Sequence, residues 1–181
     1  MDEIVKAALK KWPNVPHCHG WLALDARGEW YMRDERVQAA GPFPAVKGSR
    51  ITHEKLREFI HRNYMADEHG AWFFQNGPQR VYVQLEAAPY VWRVTDAPGF
   101  PLVAHTGQPA GPLQQAWLDE HRRLFAHTAL GFGLVHTADM VLAAQAVDEA
   151  LAQSETGAWA PVELPFAQMP ARFGYRLLPQ A

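Results

Sequence analysis

The sequence predicts an α+β fold, mainly antiparallel sheet built from hairpins, with about three helices packed on it. Two observations support this prediction. Short apolar and aromatic runs come in pairs that flank polar turns rich in glycine, asparagine and aspartate, as in β-hairpins. Segments with helical spacing are few and do not alternate with single strands, as they would in a parallel βαβ sheet.

The first helix is predicted over residues 2–12. Acidic residues, Asp2 and Glu3, stand at its start and basic residues at its end, which suits the helix dipole. Its buried stripe is predicted to contain Ile4, Val5, Ala8, Leu9 and Trp12. A hairpin follows, in which residues 21–24 and 30–32 flank an Asp-led turn with Gly28 in the left-handed position.

Residues 38–50 have the composition of a loop, and a second helix is predicted over 53–64. Thr52 is the expected N-cap, and Ile51 and Leu56 form a hydrophobic staple. The buried face should contain Leu56, Phe59, Ile60 and Tyr64. A second hairpin over 71–86, with QNGPQ as its turn, precedes a strand at 90–94.

The second half is predicted to be richer in strands. Residues 116–128 echo the first hairpin too weakly to define a repeat, and GFGLV adds a strand. Thr137 caps one helix, whose face contains Met140, Ala144, Val147 and Leu151. Closing strands are expected at 159–164 and 173–177. We expect two halves, residues 1–98 and 99–181, that pack as one compact unit.

Composition excludes several classes of function. A formal net charge of −2 offers no basic excess for a phosphate backbone, so general nucleic-acid binding is not expected. No apolar run approaches the roughly 20 residues that span a bilayer, so no membrane partner is expected. A single cysteine cannot form an internal disulfide, which fits a reducing, cytoplasmic location.

The stretch PHCHGW places His17 and His19 around Cys18. In an extended chain the two imidazoles point to one side and the thiol to the other. The pair could supply two metal ligands, but a zinc site needs at least one more protein ligand from a distant position. Otherwise the stretch is a loop that enters the first strand, with Cys18 as a buried small apolar residue.

The turn of the second hairpin is the other candidate site. Gln75, Asn76, Gln79 and Arg80 offer amide and guanidinium donors that could bind a carboxylate, a phosphate or a peptide. Alternatively, the amides form the turn and the arginine pairs across the hairpin. Alternation puts Phe73 and its neighbour on opposite faces, so an aromatic platform for nucleobases is not expected.

The remaining motifs identify no reaction and no cofactor. GFGLVH lacks the third glycine of a dinucleotide loop. Two carboxylate–imidazole neighbours, Asp119-Glu120-His121 and His136 with Asp139, are expected to be a turn and the first turn of a helix. A hydrolase or isomerase that uses His127 or His136 stays open, although no local motif favours it.

CHGWLALDARGEW and FIHRNYMADEHGAWFFQNGPQRVYVQLE, within residues 17–95, resemble a chiefly proteobacterial family of uncharacterised proteins, a domain of unknown function. The resemblance implies a bacterial, cytoplasmic, stand-alone protein and transfers no catalytic residue. It also draws attention to Arg62-Asn63-Tyr64 and to residues 75–80.

The sequence favours a non-enzymatic binding or interaction module for an unknown protein or small-molecule ligand. The seven tryptophans also suggest a ligand groove or a homo-oligomer contact. The alternative is a metal-dependent enzyme that uses His17, His19 and a distant ligand.

Overall fold

A computed structural model describes residues 1–153 and 157–180 of the chain. The α-helices of this part are α1 (Glu3–Lys11), α2 (Glu35–Ala40), α3 (Glu54–Arg62), α4 (Met140–Gln153) and α5 (Met169–Phe173). The first six strands are β1 (Cys18–Leu24), β2 (Trp30–Met32), β3 (Ser49–Arg50), β4 (Tyr64–Ala66), β5 (Trp72–Asn76) and β6 (Gln79–Leu85). The other strands are β7 (Tyr90–Val94), β8 (Leu102–Ala104), β9 (Leu113–Leu118), β10 (Leu124–Thr128), β11 (Phe132–Val135) and β12 (Val162–Glu163).

The described chain forms two compact units. Within the described residues, unit 1 contains 1–25, 29–86 and 174–180, and unit 2 contains 26–28, 87–153 and 157–173. Each unit has one six-stranded sheet, in the order β3-β2-β1-β6-β5-β4 in unit 1 and β12-β9-β10-β11-β7-β8 in unit 2. The α+β class is therefore confirmed.

Seven of the ten strand pairings in the described residues are antiparallel, as predicted, and the other three are parallel, so both sheets are mixed. The predicted hairpins all form, but β1 pairs in parallel with β6, β7 with β11, and β9 with β12. Turn residues determine the antiparallel pairing inside a hairpin, but they do not determine how two hairpins pair with each other. The helices also number five in the described part instead of about three, because α2 and α5 are too short to give a periodic signal.

The two units repeat one connectivity. In each, an antiparallel pair (β1–β2 or β7–β8) joins a three-stranded meander (β4–β5–β6 or β9–β10–β11) through a parallel pair of strands. The meanders match residue by residue at an offset of 52, since the pairs Met65–Phe73 and Phe73–Tyr82 correspond to Trp117–Phe125 and Phe125–Leu134. From sequence, residues 116–128 resemble the first hairpin. In the structure their counterpart is residues 64–76.

The two helices predicted in the first half form, with differences in detail. In α1 only Val5 of the predicted stripe is buried, while Ile4 is 75% exposed and Trp12 51% exposed. Helix α3 is capped by His53, whose Nδ1 accepts the Leu56 N–H at 3.3 Å, so the predicted Thr52 cap is one residue too early. An imidazole nitrogen supplies the acceptor that a hydroxyl oxygen usually supplies.

Two other predictions fail for short elements. Helix α2 begins at Glu35, before the predicted loop, and extends into that loop as far as Ala40. The Asp34 carboxylate caps the helix by accepting the Val37 N–H at 3.0 Å. Residues 173–177 are not a strand, because α5 ends at Phe173 and a turn follows. Only the Leu177 carbonyl reaches the sheet, where it accepts the Leu85 N–H at 2.8 Å.

Asn63, in the stretch that the family resemblance marks, is a structural joint of unit 1. Its side chain is fully buried, accepts the Asp2 N–H at 2.8 Å and donates to the Phe59 carbonyl at 2.9 Å. Its own carbonyl accepts the Gln75 N–H at 2.9 Å. The residue thus connects α1, α3 and β5. Its buried polar atoms find hydrogen-bond partners within the chain, so its burial needs no ligand as an explanation.

Candidate functional site

The two candidate sites predicted from the sequence meet at one place in unit 1. Strand β1 runs parallel to β6, with Cys18 opposite Val81. Just before this pair, the Gln79 side chain donates its Nε2–H to the Pro16 carbonyl at 3.1 Å. The histidine stretch and the turn of the second hairpin are therefore neighbours, which sequence spacing could not show.

Both histidines pack against Tyr82 of β6. The His19 ring stacks on the tyrosine ring, with a centroid distance of 4.5 Å and an interplanar angle of 8°. The His17 ring meets it edge-on at 5.8 Å. Their shared contact fulfils the expectation that residues i and i+2 of an extended segment point to one side.

Arg80 brings a third nitrogen-bearing group to this face. Its guanidinium carbon lies 4.6 Å from the centroid of the Phe73 ring, within cation–π range. Phe73 is directly opposite Tyr82 in the β5–β6 ladder, and Arg80 precedes Tyr82 by two residues, so all three share one face of the sheet. We call His17, His19, Phe73, Arg80 and Tyr82 the histidine–tyrosine face.

A carboxylate anchors the far end of Tyr82. The tyrosine hydroxyl donates to Asp67 Oδ2 at 3.0 Å, while Asp67 Oδ1 accepts the backbone N–H groups of His69 and Ala71 at 2.9 Å each. Burial alone would raise the pKa of Asp67, but these three donors outweigh it and hold the pKa below its usual value. Both oxygens of the charged carboxylate are thus occupied within the hairpin.

Burial governs the titration of the neighbouring groups. It lowers the pKa of His19, and the nearby charge of His17 lowers it further. Burial raises the pKa of the Cys18 thiol, so the nucleophilic thiolate is disfavoured. The His19 imidazole is consequently mainly neutral at pH 7 and gains charge on acidification or when an anion approaches.

The other two candidate residues of the turn have different surroundings. Gln75 is only 1% exposed and donates its Nε2–H to the Gly77 carbonyl at 3.0 Å, so it closes the turn. Asn76 is exposed at the end of β5, opposite Gln79. The four predicted donors therefore do not form one cluster at the tip of the turn. Arg80 is the donor that shares a face of the sheet with Tyr82, against which the histidines pack.

Metal binding by His17 and His19 requires further ligands. In residues 1–153 and 157–180, no three His, Cys, Asp or Glu side chains are arranged to hold a metal ion. Asp67, the carboxylate that Tyr82 contacts, is engaged by the tyrosine hydroxyl and two backbone amides. What the face offers chemically is a set of donors and latent positive charges, which suits an anion.

The carboxylate–imidazole neighbours of the second half are structural, as predicted. His136 Nδ1 accepts the Ala138 N–H at 2.9 Å at the start of a 3₁₀ turn, and Asp139 receives two hydrogen bonds from Arg93, at 2.6 and 2.9 Å. Asp119 binds the Arg123 guanidinium at 2.7 Å within its hairpin turn. These bonds account for the geometry of a turn and of a helix start without catalysis.

Sequence reasoning missed Asp67 and gave Tyr82 only a packing role. The signal was available in the hairpin itself. A tight turn at Gly77 and Pro78 sets Phe73 opposite Tyr82, and the pleat then adds Arg80 to the same face. The parallel neighbour β1, which brings the histidines, had no such local signal.

Comparisons with known proteins found two similar solved structures and one family model. No curated protein matches the chain. Two solved structures show a similar arrangement, both described as DUF1285 family proteins. The one from Silicibacter pomeroyi has a TM-score of 0.48 and 14% identity, covering 78% of this chain and 82% of that chain. The one from Shewanella baltica has a TM-score of 0.45 and 15% identity, covering 70% and 91%.

In the described residues no helix is long and apolar enough to cross a membrane. The family model DUF2944, described as "Protein of unknown function (DUF2946)", matches residues 1–180 and confirms the resemblance to a family of unknown function. The chain belongs to this family.

Proposed function

We propose that this protein is a non-catalytic binding module that holds a small anion on the histidine–tyrosine face. One observation supports this proposal above all. Arg80, His17 and His19 lie around one pair of aromatic rings, and no ion pair joins any of them to a carboxylate in the part of the chain described by the structure. Positive or protonatable groups gathered without a counter-charge are suited to a ligand that brings one.

The chemistry of the neighbouring groups favours binding over catalysis. The Tyr82 hydroxyl is already committed as a donor to Asp67, at 3.0 Å. The Cys18 thiol has a pKa raised by burial and lies in the β1–β6 ladder, opposite Val81. Nucleophilic catalysis needs an activated nucleophile with a base in reach, and neither group meets that condition.

The ligand class follows from the donors. Guanidinium and imidazole nitrogens both bind carboxylate and phosphate oxygens, and the guanidinium does so through a planar fork. The faces of Tyr82 and Phe73 are already covered by His19 and Arg80, so the rings offer no free stacking surface on that side. The proposed ligand is therefore recognised by its charged oxygens, and inorganic phosphate is the simplest probe.

The test is a titration with inorganic phosphate. Its readout is the shift of the imidazole proton resonances of His17 and His19 in NMR spectra. Arg80→Gln should weaken binding about 10-fold or more, because a hydrogen bond to a charged group contributes about 1.5–3 kcal/mol. Arg172→Gln is the matched control, since its guanidinium also lies over an aromatic ring, 4.4 Å from Trp117, but in unit 2. It should bind phosphate like the wild type.

Two results would refute the proposal. In the first, phosphate leaves the resonances of both histidines unchanged in the wild-type protein. In the second, Arg80→Gln and Arg172→Gln bind phosphate equally well. Circular dichroism spectra of both variants show whether a loss of binding reflects a loss of fold.

Acidification should strengthen binding. Burial and the nearby charge of His17 lower the pKa of His19 from its ordinary value of 6.5. Without a ligand, the His19 ring is therefore mostly neutral at pH 7. An anion favours the protonated imidazole, so the affinity for sulfate, whose charge is constant in this range, should rise as the pH falls below about 6.5. In His19→Asn this rise should be absent, because an amide does not titrate.

A further inference from the structure

Three hairpin turns in the chain are built on one plan. Each starts with an aspartate whose backbone N–H donates to the carbonyl four residues later, at Asp25, Asp67 and Asp119. In each, the aspartate Oδ1 accepts the N–H of that later residue, at 3.0, 2.9 and 2.8 Å respectively. The fourth position of every turn has a positive φ: +77° at Gly28, +75° at Gly70 and +59° at Arg122.

Arg122 is the exception among these turns, because a residue with a Cβ takes the position that glycine takes in the other two. The left-handed conformation costs a residue with a side chain about 1–2 kcal/mol, and glycine adopts it freely. Glycine at position 122 would build the same turn without that cost. The arginine side chain therefore has to be explained by what it contacts.

The Arg122 side chain borders a cleft of unit 2. The cleft has a volume of about 220 Å³, the share of roughly seven water molecules at ~30 Å³ each. Its apolar wall consists of Leu118, Leu164 and Pro165. Its charged lining consists of Asp119, Glu120, Arg122 and Glu163, and of these Asp119 is already neutralised by the Arg123 guanidinium at 2.7 Å.

This lining carries both signs of charge in a loose arrangement. Arg122 Nη1 and Glu163 Oε1 are 4.0 Å apart, and both side chains are largely exposed, at 79% and 84%. An exposed pair at this distance contributes little to stability. Glu120 is fixed more firmly, since its Oε2 accepts the Phe166 N–H at 2.8 Å, and this bond is the main cause of its lowered pKa.

We propose that this cleft binds a free α-amino acid with an apolar side chain. Arg122 would bind the ligand carboxylate through its guanidinium fork, and the carboxylates of Glu120 and Glu163 would bind the ammonium. The wall of Leu118, Leu164 and Pro165 would contact the side chain. A cationic group and two anionic groups beside a small apolar wall match a zwitterion better than a ligand of one charge.

L-Leucine is the probe for the wild-type protein, with backbone amide shifts of residues 118–124 and 163–166 as the readout. N-acetyl-L-leucine lacks the ammonium and L-leucinamide lacks the carboxylate. Leucine should shift these amides at millimolar concentration, and both analogues should bind at least 10-fold more weakly. Equal binding of leucine and either analogue would overturn the proposal, as would the absence of any shift with leucine.

Arg122→Gly separates a role in binding from a role in folding. The variant should unfold at a higher denaturant concentration than the wild type, because it relieves the left-handed strain, and it should lose leucine binding at least 10-fold. Arg122→Lys keeps the charge and should retain part of the affinity. Leucine binding by Arg122→Gly at wild-type strength would overturn the proposal, and its higher stability ensures that weak binding is not caused by misfolding. The phosphate titration of unit 1 is independent of either result.

Discussion

His61 shows how a single half-buried imidazole makes the fold sensitive to pH. Its Nε2 accepts the Trp30 indole N–H at 2.9 Å, across the contact between α3 and β2 in unit 1. Burial is the main cause of its lowered pKa, the charge of Arg57 lowers it further, and Glu58 opposes the shift in part. The folded chain therefore prefers the neutral ring, whose lone pair receives the indole hydrogen bond.

The first prediction concerns this residue. With a folded pKa below the unfolded value of 6.5, the unfolded chain binds more protons as the pH falls through that value, so the free energy of unfolding should decrease on acidification below about pH 6.5. His61→Gln offers an amide oxygen to the indole and does not titrate. Urea unfolding at pH 7 and pH 5 should show a smaller loss of stability in His61→Gln than in the wild type.

The wild type and His61→Gln share every other titratable group, so the difference between them isolates the contribution of His61. An equal loss of stability in the wild type and His61→Gln between pH 7 and pH 5 would contradict the role assigned to His61.

At the scale of elements, the turns fix the positions of the strands. Gly70 has a φ of +75°, and a Cβ built on it would lie 2.1 Å from the Gly174 carbonyl oxygen. Gly77 has a φ of +57°, and the nearest atom to its Cβ would be that of Ala8 at 4.0 Å. The two glycines thus share the left-handed conformation and differ in the space around them.

The second prediction uses this difference. Gly77→Ala should cost about 1 kcal/mol, the price of a left-handed alanine. Gly70→Ala should cost a further 1–3 kcal/mol or so, because the carbonyl of Gly174 has to move. Both glycines belong to unit 1, so urea midpoints of the same transition can be compared directly. Equal losses in the two variants would show that the tail does not pack against this turn.

Sequence predicts the elements here better than it predicts their partners. The hairpins at 21–32 and 71–86 and the helix near 53–64 follow from period, turn chemistry and capping, which act over a few residues. The parallel contact of β1 with β6 joins residues about 60 positions apart, and no local preference encodes it. For that reason the histidines and Arg80 could be named from the sequence, while their proximity in the fold could not.

Over the whole molecule, the tryptophans divide between packing and surface. Trp30, Trp92, Trp117 and Trp159 are buried, whereas Trp12 and Trp21 are exposed. Core packing thus explains four of the seven tryptophans without an oligomer contact. The two exposed tryptophans are the remaining support for a homo-oligomer. The homo-oligomer stays a prediction, and the molar mass from light scattering at high concentration decides it.

The end of the described chain belongs to the same unit as its beginning. After α5, residues 174–180 return to unit 1, where the Arg176 N–H donates to the Gly70 carbonyl at 3.0 Å and the Leu85 N–H to the Leu177 carbonyl at 2.8 Å. Tyr175 is buried. The C-terminal segment therefore binds the turn between β4 and β5 and the end of β6, which lie about 100 residues earlier in the sequence.

The last prediction follows from this return. Deletion of residues 174–181 removes a buried aromatic side chain and two backbone hydrogen bonds, and a buried aromatic ring alone contributes about 3–5 kcal/mol. Hydrogen exchange measured by mass spectrometry should therefore show lower protection of β5 and β6 in unit 1, with little change in β10 and β11 of unit 2. Tyr175→Ala in the full-length chain should reproduce most of the effect, because it removes the ring and leaves both backbone bonds possible. Equal loss of protection in the two meanders would instead mean that the units unfold as one cooperative body, and unchanged protection in β5 and β6 would mean that the tail contributes nothing to unit 1.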